Sequence, residues 1–323
     1  MTLAVIWFVV GLVLLIKGGD WFVDGAAGIA RKFNIPELLI GATVVSIGTT
    51  LPEVMVSATS ALGGQGAIAY GNAIGSIICN TSLIAAITIA IKPGKAERST
   101  MIFPVIFFFA AAIFYSLIAY TTGYFSRTVG IVLVTAFVVY IGINVYKVIK
   151  LPADAPVESE ESTEKEKSIL VNTVLLVVGA ALIAVGARLL VDNGTLIAKA
   201  IGVPESVIAL TFVALGTSLP ELVTAITSLA KGHGALSLGN IIGANLFNLI
   251  LVSGVSVVLS PFAVPSASQF FGHNASLVLD IPVMFAVMLI MTVPALIRQK
   301  LSRVQGILLL LIYAAFCTVQ FIM

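Results

Sequence analysis

The sequence predicts an all-α integral membrane protein whose ten transmembrane helices form a 5+5 inverted-topology repeat, with helices 2, 3, 7 and 8 broken. Three observations lead there. Hydrophobic residues make up 59% of the chain and charged residues 10%, far from the roughly one quarter charged of soluble domains, and the mean hydropathy is +1.13. Apolar runs near the length of a bilayer crossing recur from one end of the sequence to the other. One stretch of the first half also returns in the second half 168 positions later.

The apolar runs define ten spans at about 2–30, 36–62, 66–91, 101–120, 127–149, 168–199, 204–230, 234–260, 277–297 and 303–322. They are too long and too evenly apolar for the short alternating strands of a barrel, so helices are expected, each satisfying its own backbone within lipid. Spans one and six exceed the bilayer thickness and are expected to tilt. The first lacks a basic leader and a small-residue cleavage site, so it is read as a retained helix and not a signal peptide.

Charge placement predicts orientation. Arg31, Lys32, Lys92, Lys95, Arg98, Lys147, Lys150, Lys165, Lys167, Lys231, Arg298, Lys300 and Arg303 fall on one side, whereas Arg127 and Lys199 fall on the other. The positive-inside rule then puts both termini outside and the odd-numbered connections in the cytoplasm of a multi-pass plasma (inner) membrane protein. A formal charge of +2 gives no reason to expect nucleic acid, and no obligate protein partner is evident. The partners expected are the lipid bilayer and small ions.

The repeat runs without a gap from Ile35 to Leu83. "IPELLIGATVVSIGTTLPE" aligns with "VPESVIALTFVALGTSLPE", and "GQGAIAYGNAIGSIICN" with "GHGALSLGNIIGANLFN". Five spans per half is an odd number, so equivalent helices run in opposite directions, the plan on which many secondary transporters place a midplane site. The halves are residues 1–149 and 169–323. Between them, 150–168 ("KLPADAPVESEESTEKEKS") reads as a disordered acidic cytoplasmic linker, without the alternating ligands and glycine turn of an EF-hand loop.

Each copy carries a glutamate directly after a proline, Pro52–Glu53 and Pro220–Glu221. Proline has no N–H for the carbonyl four residues back, Gly48 or Gly216, and the neighbouring glycines favour unwinding. Carbonyls at and before "GTT" and "GTS" are then expected to turn toward a cavity. Ser46, Thr49, Thr50 and Glu53 share one helical face, as do Thr217, Ser218 and Glu221. On the next span Asn72, Ser76 and Asn80 repeat every fourth residue, with partners Asn240, Ala244 and Asn248.

If the two halves face each other, hydroxyls, amides, carbonyls and two carboxylates converge. An all-oxygen set suits Na⁺, Ca²⁺ or Mg²⁺ and lacks the thiolates and imidazoles that favour Zn²⁺ or Cu⁺. One Ca²⁺ or two or more Na⁺ would offset the pair's two charges, so loaded forms should cross a dry gate more easily than the empty one. No enzymatic motif is present: there is no HExxH, no GxSxG and no histidine within a span, and no cofactor is expected.

Several residues are set aside. Asp20, Asp24, Arg188 and Asp192 lie near predicted interfaces and read as anchors or salt bridges. Cys79 and Cys317 read as small apolar thiols, His233 and His273 as loop residues, and Trp7 and Trp21 as belt or packing residues.

At "GTTLPE", "GNAIGSIICN", "GTSLPE" and "GNIIGANLFN" the chain resembles the cation/Ca²⁺ exchanger superfamily, and most closely its prokaryotic Na⁺/Ca²⁺ exchangers. The resemblance implies four cation sites between the broken helices and electrogenic antiport of about three Na⁺ for one Ca²⁺. It implies that Glu53 and Glu221 are the central Ca²⁺ ligands, also shared with Na⁺. Thr49, Thr50, Thr217 and Ser218 would add hydroxyl or carbonyl oxygens, Ser46 and Ala214 backbone carbonyls, and Ser76, Asn80 and Asn248 the rest of the metal site. Asn248 stands where many relatives have aspartate, which argues against K⁺ cotransport, and Ala244 and Ile77 replace the more usual Ser and Asn. The sibling reading is H⁺/Ca²⁺ or other cation/Ca²⁺ exchange on the same fold.

Overall fold

A computed structural model describes residues 2–150, 168–200 and 216–322. Residues 151–167 of the expected linker, and the first half of the seventh span with Ala214, lie outside the described residues.

Among the described residues, nine helices are long and apolar enough to cross a membrane. They are α1 (Thr2–Lys32), α2 (Glu37–Leu62), α3 (Gly66–Ile91), α4 (Arg98–Thr122), α5 (Arg127–Ile149), α6 (Ile169–Ala200), α8 (Gly234–Leu259), α9 (Ser276–Arg298) and α10 (Arg303–Ile322). A shorter apolar helix, α7 (Leu219–Ala230), occupies the described part of the seventh span. The ends fall within a few residues of those read from hydropathy, because the same residues that leave the apolar run also stop the helix. Asn34, in the left-handed region with φ 51°, closes α1 just before Pro36. Gly123, with φ 64°, ends α4 and returns its N–H to the Ala119 carbonyl.

Two compact units divide the chain. One is drawn from Met1–Thr49 and Lys150–Asn240, the other from Thr50–Ile149 and Ile241–Met323. Each unit takes segments from both halves of the sequence repeat.

In the first unit α1 packs along α6 through glycines. A methyl group on Gly11 would lie 2.9 Å from the Gly186 carbonyl oxygen, and one on Gly18 2.9 Å from that of Gly179. One on Gly25 would lie 2.5 Å from the Asn172 carbonyl oxygen. As the number rises along α1 it falls along α6, so the helices are antiparallel. The repeat offset turns Gly11 into Gly179 and Gly18 into Gly186. Each glycine therefore meets the repeat equivalent of the other, the pattern that a two-fold axis between inverted copies imposes. Small residues let the backbones approach this closely, and in lipid such packing supplies much of the association energy.

The second unit repeats one contact in two versions. α5 approaches the last turns of α8, where a methyl on Gly130 would meet the Gly254 carbonyl oxygen at 2.9 Å, and α10 approaches the last turns of α3, where one on Gly306 would meet the Ala86 carbonyl oxygen at 2.7 Å. Ala86 and Gly254 are repeat partners. Connections pair by parity: β1 (Tyr124–Phe125), between α4 and α5, is antiparallel to β2 (Phe262–Ala263), between α8 and α9. The α3–α4 and α9–α10 connections meet at a Lys95–Lys300 bridge. A membrane-spanning up-and-down chain requires this pairing of like sides.

Candidate cation-binding residues

The proline of the first repeat does not open its helix in the way its sequence predicts. Ser46–Leu62 is α-helical straight through Pro52; a single missing bond to Gly48 does not unwind a helix whose other turns are satisfied. The irregularity lies upstream, in a π-helical turn over Gly41–Val45. There the Ser46 N–H reaches back five residues to the Gly41 carbonyl, and the Ser46 hydroxyl donates to that same oxygen at 2.7 Å.

The second repeat behaves differently. Gly216–Ser218 form a turn, and α7 starts only at Leu219 with Pro220 in its first turn. Proline there costs no helical bond. Glu221 thus stands in the first turn of α7, at the positive end of the helix dipole, where an anionic group is stabilised. It is fully buried, as are Ser218, Thr224 and Ser228 along the same helix. The hydroxyls of those three find no hydrogen-bond partner among the described residues. Thr217 is half-buried in the turn.

In the same unit as Glu221, Ser46 and Thr49 meet Asn240 of α8. Thr49 Oγ1 donates to Asn240 Oδ1 at 3.1 Å, and Ser46 Oγ lies 2.9 Å from the Asn240 carbonyl oxygen. Close passage makes this possible: a methyl on Gly41 would lie 2.4 Å from the Leu236 carbonyl oxygen, and one on Gly239 2.2 Å from that of Leu38.

The other unit holds Thr50, Glu53, Ser76, Asn80 and Asn248, all buried. Asn72 ties α3 to α2 here, donating from Nδ2 to the Glu53 carbonyl oxygen at 3.2 Å and to Ser57 Oγ at 2.8 Å. Asn80 and Asn248, partners in the repeat, each open a π-helical segment, Asn80–Ala85 in α3 and Asn248–Val252 in α8. π-bulges of this kind shift the backbone by one residue and gather at functional sites. Thr50 Oγ1 and all four amide atoms of Asn80 and Asn248 have no hydrogen-bond partner among the described residues. Buried polar groups are nearly always satisfied, which marks these side chains as candidates for contact with a bound polar species.

In each unit the candidate donors are oxygens: hydroxyls, amide oxygens and one carboxylate. Among the described residues no group of three or more His, Cys, Asp or Glu is placed to hold a metal ion. Oxygen donors are the kind that suits hard monovalent or divalent cations.

Of the sequence-predicted residues, the structure places all but Ala214, which lies outside the described residues. Asn72 and Asn240 lie on the candidate face by their spacing, and the sequence alone gives them no role, although "GN" recurs in both copies. Asn245 does not stand out in the sequence; its Nδ2 donates to Thr81 Oγ1 at 2.7 Å and joins α8 to the π segment of α3. No repeat signal marks Asn245, because its partner position is Ile77.

Of the residues set aside, Asp20, Asp24, Arg188 and Asp192 form ion pairs and His233 has a carboxylate partner. Lys231 Nζ lies 2.6 Å from Asp24 Oδ1 and 3.5 Å from Asp20 Oδ1, and Arg188 lies 3.7 Å from Asp192 one turn along α6. His233 Nδ1 pairs with Glu37 Oε1 at 2.7 Å.

An inverted repeat of membrane-crossing helices carrying buried carboxylates, hydroxyls and π-bulged asparagines defines an ion transporter of the secondary type. The family model for the sodium/calcium exchanger protein matches residues 3–146 and 171–322, and the chain belongs to that family. It is a multi-pass membrane protein and a cation/Ca²⁺ antiporter; the family is one of transporters, not enzymes, and its ions are cargo. The chain is 35% identical over 323 residues to a putative antiporter, CaxA, of Alkalimonas amylolytica, covering 98% of each. It is 30% identical to the sodium/calcium exchanger MaX1 of Methanosarcina acetivorans, covering 99% of each. Among solved structures it is similar to the sodium-calcium exchanger NCX_Mj soaked with 2.5 mM Na⁺ and 10 mM Sr²⁺, with a TM-score of 0.81, 33% identity and 97% of each chain covered.

Proposed function

We propose that this antiporter exchanges Na⁺ for Ca²⁺ across the plasma membrane by alternating access, moving about three Na⁺ inward for each Ca²⁺ expelled. The observation that carries the reading is the pair of fully buried glutamates, Glu53 and Glu221, at equivalent positions of two copies of one motif in a sodium/calcium exchanger family member. Glu53 and Glu221 ligate Ca²⁺ and, in turn, Na⁺. Ser46, Thr49, Thr50, Thr217, Ser218, Ala214, Ser76, Asn80 and Asn248 contribute neutral oxygens. The hydroxyl and amide oxygens that lack protein partners among the described residues support this assignment, since a dehydrated cation accepts such oxygen donors.

The energetic logic is that of two acids in a low-dielectric interior. Unloaded carboxylates resist passage through a dry intermediate, whereas Ca²⁺, or a set of Na⁺, neutralises them. Movement is therefore coupled to loading, and exchange follows. Residues 1–149 and 169–323 act as the two inverted copies, with 150–168 as a cytoplasmic linker and the outer ends of α1 and α10 outside the cell.

Proteoliposomes loaded with Na⁺ and diluted into Na⁺-free buffer test this directly. Radiolabelled Ca²⁺ should accumulate, and Glu53→Gln or Glu221→Gln should lower the rate by at least about a hundredfold, in line with the ~3 kcal/mol or more of a lost buried charged ligand. Uptake that persists without Na⁺ and follows a pH gradient would replace Na⁺ by H⁺ as the coupling ion.

A further inference from the structure

The α3–α4 and α9–α10 connections are clasped by backbone. Ala96 N–H donates to the Gln299 carbonyl at 3.0 Å and Leu301 N–H to the Gly94 carbonyl at 2.9 Å. These two bonds frame Lys95 and Lys300, an antiparallel pair that makes no bonds to each other. In such a non-hydrogen-bonded pair the Cα atoms are closest, roughly 4.5 Å apart, and the side chains leave on the same face. Like charges directly opposite one another destabilise a pairing.

The surroundings worsen the repulsion. Lys92, Lys95, Arg98, Arg298, Lys300 and Arg303 are all exposed, and the one acid in these two connections is Glu97. The positive-inside tendency accounts for cations on this side of the membrane. It does not account for a clasp that sets two of them face to face. Beside them in the chain, Ile91, Ile297 and Val304 expose 64%, 74% and 74% of their surface, so the cations stand next to exposed apolar residues.

We propose that this clasp binds the phosphate of an anionic phospholipid, with Lys95 and Lys300 gripping the headgroup from two connections while its chains lie along the exposed apolar residues. A phosphate between the lysines converts a repulsive pairing into an attractive one, and the adjoining cations deepen the potential. A lipid, not a free anion, is the ligand because the cations and the exposed apolar residues are neighbours in the chain.

The test is lipid selectivity of the full chain in bilayers. The protein is reconstituted in phosphatidylcholine, and the motionally restricted fraction of spin-labelled phosphatidylglycerol is compared with that of spin-labelled phosphatidylcholine. The wild type should favour phosphatidylglycerol, and Lys95→Gln with Lys300→Gln should cut that preference at least about fivefold, the effect expected of losing one or more interfacial cations. Glu97→Gln should increase it, a gain that misfolding cannot mimic, and Lys95→Arg with Lys300→Arg should retain it. Equal preference in wild type and the Gln double variant overturns the proposal. So does displacement of the labelled phosphatidylglycerol by millimolar inorganic phosphate at constant ionic strength, which would identify a soluble-anion site instead.

Discussion

The side-chain amide of Asn72 donates to the backbone carbonyl of Glu53 at 3.2 Å. It holds the strand of backbone bearing a buried carboxylate against the neighbouring helix, and its second bond, to Ser57 Oγ at 2.8 Å, locks the same amide in place. Asn72→Ala removes both donors and leaves buried acceptors short of a partner, a loss of about 1–3 kcal/mol. The expected outcome is a lower thermal unfolding midpoint in detergent. Ca²⁺ uptake should slow roughly tenfold beyond any loss of folded protein, because the carboxylate loses its fixed position. Unchanged uptake would mean that Glu53 is held by other contacts.

The glycine seam between α1 and α6 leaves no room for side chains. A methyl on Gly179 would come within 2.5 Å of the Phe22 amide nitrogen, and neither backbone can retreat without parting the helices. Gly179→Ala should destabilise the protein by about 1–3 kcal/mol. Gly142→Ala, in α5 where a methyl meets nothing within 4 Å among the described residues, should leave the unfolding midpoint unchanged or raise it, since alanine favours helix. Equal midpoints for the two variants would contradict the close approach.

Asn248 opens the π segment of α8 and its amide lacks partners among the described residues. Asn248→Asp places a third acid among the proposed ligands. A divalent ion gains more from added charge than a monovalent one, so the half-saturating Ca²⁺ concentration should fall several-fold while inhibition by Na⁺ weakens. An unaltered Ca²⁺-to-Na⁺ preference in uptake assays would remove Asn248 from the ligand set.

Lys231 joins the α7–α8 connection to α1 through Asp24 at 2.6 Å, with both side chains about one-third exposed. Ion pairs this accessible contribute up to about 1 kcal/mol. Lys231→Gln should therefore cost only a small decrease in unfolding midpoint, diminished further at high salt, and should leave the Na⁺-driven uptake rate within about twofold of wild type. Loss of transport would promote this pair from anchor to part of the machinery.

The sequence by itself determined where the helices lie, that they come in two inverted copies, and which oxygens to suspect. Each of those properties is additive along the chain. A crossing in lipid needs about twenty apolar residues, an odd number of crossings inverts the second copy, and an acid that stays in such a segment needs a reason. Tertiary structure decided what local rules leave open. Pro52 and Pro220 occupy the same motif, yet α2 runs through the first and α7 begins at the second. The π turns start at Asn80 and Asn248, and Gly11 meets the repeat equivalent of Gly18. Backbone irregularity and close approach depend on which neighbours accept or exclude a given atom, and those neighbours come from segments remote in sequence, as Asn240 does for Ser46 and Thr49.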